Sequence, residues 1–490
     1  MQLTPEEDFL AKDRERAKNN KRKNVPIVVI TYLMTAVFMA MIGYVIYFMQ
    51  FEAERTIANS RNVRQDSFAD KVERGDIITS DGEVIATSTT DENGVTKRSY
   101  PHGNMFAHVT GYDAHGKAGL ELSGNFYMLR THIQVFERVM KELADEKNRG
   151  DNIVTTVRYD LQARAYNALG DARGAVIAIE PSTGKILCMV SKPDFDPNEI
   201  DAVWDYMQTE EGAESSILLN RATQGYYAPG STFKVVTLLE YMREHPNDYE
   251  NYNYYCESDG TFNDVYIHCY GDTAHGEESL KDSLAYSCNA SFANIGVGLN
   301  KSSYRKTAEE LLFNKELPFD GTYVKSSFTI DENSADYEIP QTAIGQGDTK
   351  MTPLHGAMIT SAIANGGVLM KPYMIERVEN DDGAKIKEFK PKTYGALMES
   401  NEAKVLTEYM KSVADYGTAA WYFSDASYDV AAKTGTAEYD DEGHSNSWFI
   451  GFSNPDHPDL VVCVLTEDVE RTGLTSSSVA RQLFDAYYGY

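Results

Sequence analysis

One run of apolar positions breaks the pattern of the chain before any motif is read. Pro26 to Met49 is 24 residues without a charged side chain. A helix of that length spans about 30 Å of hydrocarbon. Tyr44, Tyr47 and Phe48 sit near its far end, where aromatic rings favour a membrane interface. Lys18, Lys21, Arg22 and Lys23 flank the near end, which places the N-terminus in the cytoplasm by the positive-inside rule. The run is long for a signal-peptide core, and no small-x-small cleavage site directly follows it, so it reads as an uncleaved single-pass anchor. Residues 1–25 read as a short, disordered cytoplasmic tail. Residues 50–65, with Glu52, Glu54, Arg55, Arg61 and Arg64, read as a polar helix or stalk, or as a plain linker.

Beyond the run, shorter patterns alternate between strand and helix. Ile77-Ile78 and Val84-Ile85 flank the turn Ser80-Asp81-Gly82, which predicts a hairpin over 73–86. From Gly150 the texture changes. Residues 151–157 read as a strand, and Asp160 to Leu169 as a helix capped by Asp160. Gly174 to Ile179 and Lys185 to Val190 are apolar strands joined by a Pro-Ser-Thr-Gly turn. Residues 243–280 are polar and rich in tyrosine, which predicts a long surface excursion. Residues 402–415 form an amphipathic helix; 430–436, 447–452 and 460–465 read as strands, and 476–488 as a closing helix. The fold class is α/β (α+β), an antiparallel sheet flanked by helices, with a small N-terminal domain and one transmembrane helix.

Charge narrows the function. The 490 residues carry 46 Lys+Arg against 74 Asp+Glu, a net charge of −28. A chain this acidic lacks the basic footprint of a nucleic-acid binder. Residues 1–25 are the exception, with seven basic and five acidic side chains. Five cysteines, an odd number, leave at least one without an internal partner. Cys256 and Cys269 are close enough in sequence for a disulfide in an oxidising compartment. No Cys/His group has zinc spacing and no His-Glu-x-x-His occurs, so neither a metal nor another cofactor is expected.

The candidate chemistry centres on Ala228-Pro229-Gly230-Ser231-Thr232-Phe233-Lys234. Pro229 and Gly230 can precede a helix but not continue one. Val235, Val236, Leu238, Leu239 and Met242 then recur at helical spacing, which sets Ser231 near a helix N-terminus. Lys234 shares its face one turn on. A serine needs an adjacent base to attack a carbonyl. A lysine, ordinarily near pKa ~10.4, must be lowered to serve as that base at neutral pH.

Ser287-Cys288-Asn289 follows Ser231 by 56 residues, and Lys433-Thr434-Gly435-Thr436 follows Ser287 by 146. The three motifs in this order resemble those of penicillin-binding proteins and class A β-lactamases. Arg74-Gly75-Asp76-Ile77 and Gly119-Leu120-Glu121 are similar to N-terminal motifs of class B penicillin-binding proteins. Gly345-Gln346-Gly347, Thr352-Pro353 and Ala364-Asn365-Gly366-Gly367 resemble later family motifs. Two positions depart from the commoner pattern: Ala432 stands where a glycine is expected, and Cys288 fills the middle of the second motif.

The resemblance covers about residues 70–490 and implies the following. The domains are a tail (1–25), a transmembrane helix (26–49), a non-catalytic domain (50–150) and a transpeptidase domain (151–490). Ser231 is the nucleophile, Lys234 its base, and Lys433 the nearby cation that lowers Lys234. Ser287 relays a proton to the leaving amine, and Asn289 holds the substrate backbone. The N–H groups of Ser231 and Thr436 form the oxyanion hole, and Thr434, Gly435 and Thr436 bind substrate on an edge strand. The activity is cross-linking of peptidoglycan stem peptides ending in D-Ala-D-Ala, in cell-wall synthesis, with β-lactams as inhibitors. Residues 50–150 look too short for a glycosyltransferase domain, so the glycan polymerase is a separate membrane partner. A D,D-carboxypeptidase, a β-lactamase and a non-catalytic scaffold of the division or elongation machinery stay open. Against the β-lactamase, no Glu-x-x-Asn follows Ser287; Glu244 to Asn247 has the pattern but precedes it.

Overall fold

A computed structural model describes residues 4–48, 72–91, 95–132, 147–439 and 444–490. The chain divides into two compact units, Met1–Val63 and Arg64–Tyr490. In the first, a single helix α1 (Pro5–Tyr47) runs through Pro26. The disordered tail expected before the apolar run is therefore helical from Pro5 onward. The local reason is a start signal that composition obscured. Glu7 accepts from the backbone N–H of Thr4 at 3.0 Å, and Glu6, Glu7 and Asp8 complement the positive end of the helix dipole. Lys12 pairs with Asp8 at 2.8 Å one turn away. Val25–Tyr47 is long and apolar enough to cross a membrane. The stalk expected over 50–65 lies outside the described residues.

In the second unit, the predicted hairpin is β1 (Ile77–Ile78) and β2 (Val84–Thr90), extended by β3 (Thr96–Ser99). Next come β4 (Asn152–Thr155) and α2 (Tyr159–Leu169). Asp160 does not cap α2; it lies inside the first turn. Asp81, from the hairpin turn, accepts from the N–H of Tyr159 at 3.0 Å and takes the role from 78 residues away. The hairpin β5 (Gly174–Glu180) and β6 (Lys185–Lys192) follows as expected, then α3 (Lys234–Glu244). The tyrosine-rich excursion folds into β7 (Asn253–Cys256), β8 (Asp259–Phe262), β9 (Val265–His268) and β10 (Gly276–Ser279). Among the described residues these pair only as β7 with β10 and β8 with β9. Helices α4 (Leu280–Ala285) and α5 (Asn289–Gly298) lead on to α6 (Pro353–Ala364). Strands β11 (Ile375–Glu379) and β12 (Lys385–Glu388) precede α7 (Ser400–Asp415). The chain closes with β13 (Val430–Glu438), β14 (Ser445–Ser453), β15 (Val461–Thr466) and α8 (Ser476–Tyr488).

Two larger sheets result. The five-stranded sheet is antiparallel throughout, in the order β13-β14-β15-β5-β6, with β13 at the edge. Its two faces are read from neighbouring residues of β14, which must point opposite ways. Phe449 meets Phe484 of α8, while Ile450, with Cys463 of β15, lies beneath Gly356 of α6. Helices therefore cover both faces and bury every residue of β15. The six-stranded sheet, β12-β11-β4-β1-β2-β3, draws its strands from both sides of residue 150. β1 and β4 pair in parallel, and β4 then pairs with β11.

A buried ion cluster joins the two N-terminal motifs. Arg74 and Arg98 meet Glu121 at 2.6 and 2.7 Å, with the Glu121 side chain fully enclosed. Burial alone would raise the Glu121 carboxyl, but the two guanidiniums hold it below the usual carboxylate range.

Candidate active site

The turn that carries Ser231 is built from backbone contacts that only glycine allows. Gly230 lies at φ +54°, and a Cβ there would meet the Thr436 carbonyl oxygen at 2.6 Å. Its N–H donates to the Gly345 carbonyl at 2.9 Å. Gly345 is itself at φ +82°, and a Cβ on it would fall 1.8 Å from the Gly230 carbonyl oxygen. The Gly345-Gln346-Gly347 motif thus props the Ser231 turn from behind. A short 3₁₀ turn, Gly230–Phe233, leads into α3, and Lys234 is its first residue. Ser231 is half-buried, and its hydroxyl makes no hydrogen bond among the described residues.

Lys234 is fully buried. Its Nζ donates to the Ser287 carbonyl at 2.6 Å, to Ser287 Oγ at 3.2 Å and to Asn289 Oδ1 at 2.7 Å. The ring of Phe292 lies 5.5 Å away. Lys433, equally buried, donates from Nζ to Ser287 Oγ at 2.8 Å and to the Thr434 carbonyl at 2.9 Å. Ser287 sits between α4 and α5 in the left-handed region, φ +58°. Cys288 caps α5 through its sulfur, which accepts from the N–H of Ser291 at 3.4 Å. Asn289 donates from Nδ2 to the His268 carbonyl at 2.9 Å, so the excursion touches the site directly.

Strand β13 forms the other wall. A Cβ on Gly435 would lie 3.1 Å from the backbone nitrogen of Thr232, so β13 and the Ser231 turn run in backbone contact. Along β13 the side chains alternate, with Gly435 and Ala437 buried and Thr436 exposed. Thr434 Oγ1 pairs with Thr418 Oγ1 at 2.6 Å, a partner with no sequence signal. Ala432, where a glycine was expected, is buried opposite Gly451.

Burial governs the charges. It pushes the Lys234 amine down to about 8. Lys433 is held well below its ordinary value, by burial first and by the charge of Lys234 second. Enclosure is the leading cause for both amines, and Lys433 stands close enough to add its charge to the pair. Both amines make all their hydrogen bonds as donors to oxygen among the described residues.

All three sequence motifs, 56 and 146 residues apart, therefore meet around one hydroxyl. Residues 174–488 match the model of the penicillin binding protein transpeptidase domain. The chain belongs to the penicillin-binding protein transpeptidase family. Residues 74–153 match the penicillin binding protein A dimerisation domain. Among curated relatives, the transpeptidase is 30% identical to the peptidoglycan D,D-transpeptidase PbpA of Mycolicibacterium smegmatis over 453 residues, 88% of this chain and 91% of that one. The D,D-transpeptidase domain of a peptidoglycan glycosyltransferase from Eggerthella lenta superposes with a TM-score of 0.76 at 28% identity, covering 86% of this chain and 99% of that one. Penicillin-binding protein A of Mycobacterium tuberculosis, solved as its penicillin G acyl-enzyme, gives 0.75 at 27% identity, covering 85% and 99%.

The fold also assembles a group that spacing did not reveal. Cys256, Cys269, His275 and Cys288 bring their ligand atoms within 4.8 Å of one another. Cys256 and Cys269 are not disulfide-bonded; their sulfurs stand 3.7 Å apart. The usable signal was the crowding of three of the five cysteines into 33 residues.

Proposed function

We propose that the chain is a peptidoglycan D,D-transpeptidase that works through an acyl-enzyme on Ser231. The observation that carries this reading is the buried Lys234 amine, held between Ser287 and Asn289 beside the edge strand β13. Neutral Lys234 takes the Ser231 proton as Oγ attacks the carbonyl of the penultimate D-Ala. The N–H groups of Ser231 and Thr436 receive the oxyanion, at about 3–4 kcal/mol of transition-state stabilisation for a donor. The last D-Ala leaves with a proton relayed through Ser287. An amine of a neighbouring stem peptide then attacks the ester and frees Ser231. Asn289 orients the donor backbone. Lys433, Thr434, Gly435 and Thr436 bind the extended donor along β13, where an incoming strand finds free backbone groups.

The same reading places α1 as the membrane anchor, with its N-terminus cytoplasmic and the catalytic unit outside. Residues 1–25, 26–49, 50–150 and 151–490 are then tail, anchor, non-catalytic domain and transpeptidase domain. The glycan strand comes from a separate membrane polymerase. The test is intact mass after exposure to benzylpenicillin, wild type beside Ser231→Ala. A lasting adduct on wild type alone supports the reading. Drug consumed without an adduct points to hydrolysis, and no reaction in a folded protein overturns Ser231 as nucleophile.

A further inference from the structure

We propose that Cys256, Cys269, His275 and Cys288 form a structural zinc site that fastens the excursion over 249–279 to the second active-site motif. Three of the six separations match a ligand shell, and all six lie within 4.8 Å. Sulfur ligands at about 2.3 Å and nitrogen at about 2.0 Å, set tetrahedrally around zinc, lie about 3.5–3.8 Å from one another. Cys269 Sγ is 3.7 Å from both Cys256 Sγ and Cys288 Sγ, and Cys256 Sγ is 3.5 Å from His275 Nδ1. Three thiolates and one imidazole in a closed shell select zinc over harder cations.

Packing gives a second, independent argument. The small core between the excursion and α5 consists of Cys256, Cys269, Cys288 and Ala290, edged by Tyr254 and Phe262. Ile267 of β9 reaches the main core and Val265 packs against it, but the pocket of three thiols and a methyl holds little apolar surface of its own. The pairs β7–β10 and β8–β9 join no larger sheet. Glu278, 1% exposed, lies beside the group with its carboxyl against the Cys288 thiol, which marks a polar site rather than a greasy contact. A disulfide is the competing use of these thiols, but three cannot pair among themselves, and 3.7 Å far exceeds a sulfur–sulfur bond of about 2.05 Å.

On binding, Zn²⁺ takes four lone pairs, and the three thiols release three protons to solvent. Cys288 lies between Ser287 and Asn289, both contacts of Lys234. The metal therefore fixes the turn that presents them. This last step rests on the proposed acyl-enzyme reading; the metal site does not.

The full-length protein, purified in detergent without chelator, is assayed for metal by mass spectrometry. One zinc per chain is expected, lost in Cys256→Ser and in His275→Ala and retained in Cys188→Ser, whose thiol lies elsewhere in the core. Cobalt added to metal-depleted protein should give the spectrum of a tetrahedral thiolate complex. Depletion should slow benzylpenicillin acylation about tenfold or more, restored by zinc. Wild type without stoichiometric metal, or non-reducing mass spectra showing a Cys256–Cys269 or Cys269–Cys288 bond, overturns the site. Zinc bound but without effect on acylation overturns only the coupling to the turn.

Discussion

Lys234 and Lys433 meet at one oxygen, the hydroxyl of Ser287, at 3.2 and 2.8 Å. Both amines are fully buried, so two full charges there would repel without water to screen them. Each amine donates to that hydroxyl, so Ser287 bridges the two, and burial holds both below the ordinary lysine range. The base proposed for Ser231 is the neutral form of Lys234, which burial favours.

This fixes a pH dependence. Lys234 titrates at about 8; below that it is an ammonium and has no lone pair to offer. The second-order rate of acylation should rise with pH and level off above about 8. A rate that falls across pH 7–9 would exclude Lys234 as base. Stability has the matching sign. The unfolded chain holds the lysine proton up to about 10.5 and the folded chain does not, so stability rises with pH between about 8 and 10.5.

Ser287→Ala removes the bridge but leaves the backbone carbonyl that Lys234 also contacts. Acylation should slow by about 10²–10⁴-fold, the range for a lost proton-transfer group, with little change in melting temperature. Wild-type rates in that variant would show that Lys234 loses its proton by another route.

Gly345→Ala and Gly383→Ala separate crowding from backbone strain. Both glycines have positive φ, +82° and +78°. A Cβ at Gly383 meets nothing within 4 Å, whereas one at Gly345 would sit 1.8 Å from the Gly230 carbonyl oxygen. Gly383→Ala should cost about 1–2 kcal/mol and leave acylation unchanged. Gly345→Ala should cost more and also slow acylation, since the displaced atom belongs to the nucleophile turn. Equal behaviour of the two in thermal unfolding and penicillin kinetics would contradict the contact.

Arg74→Ala leaves Glu121 buried with Arg98 alone. Breaking a buried pair by removing one partner costs about 3–5 kcal/mol. The expected result is a lower melting temperature, with acylation per folded molecule preserved. A loss below about 1 kcal/mol would mean that water reaches Glu121.

What the sequence revealed follows from how local each feature is. The Ser231 helix start, the β5–β6 hairpin and closing helix α8 each rest on a turn signal beside a periodic run, and each was legible. Asp160 as a cap was a fair local inference, but Asp81, from a distant hairpin, satisfies the same N–H. The start of α1 was hidden because 1–25 was weighed by composition rather than by its Thr4–Glu7 pair. The three active-site motifs were recognised by order, yet their charge relationship needed the burial of both lysines. The Cys/His group has no repeat spacing at all; only the fold of β7–β10 against α5 makes it a group.

The shared six-stranded sheet also sets an order of events at the birth of the molecule. Thr155 of β4 is paired with Ile375 of β11, 220 residues later in the chain. A polypeptide emerging from its amino end exposes β4 with one side open until that distant segment arrives. Meanwhile the whole stretch carrying Ser231 and Ser287 must fold or wait. The early strands are thus a half-made template, sealed by late-arriving residues, and newborn chains that stop before about residue 379 carry an unpaired edge open to association with one another.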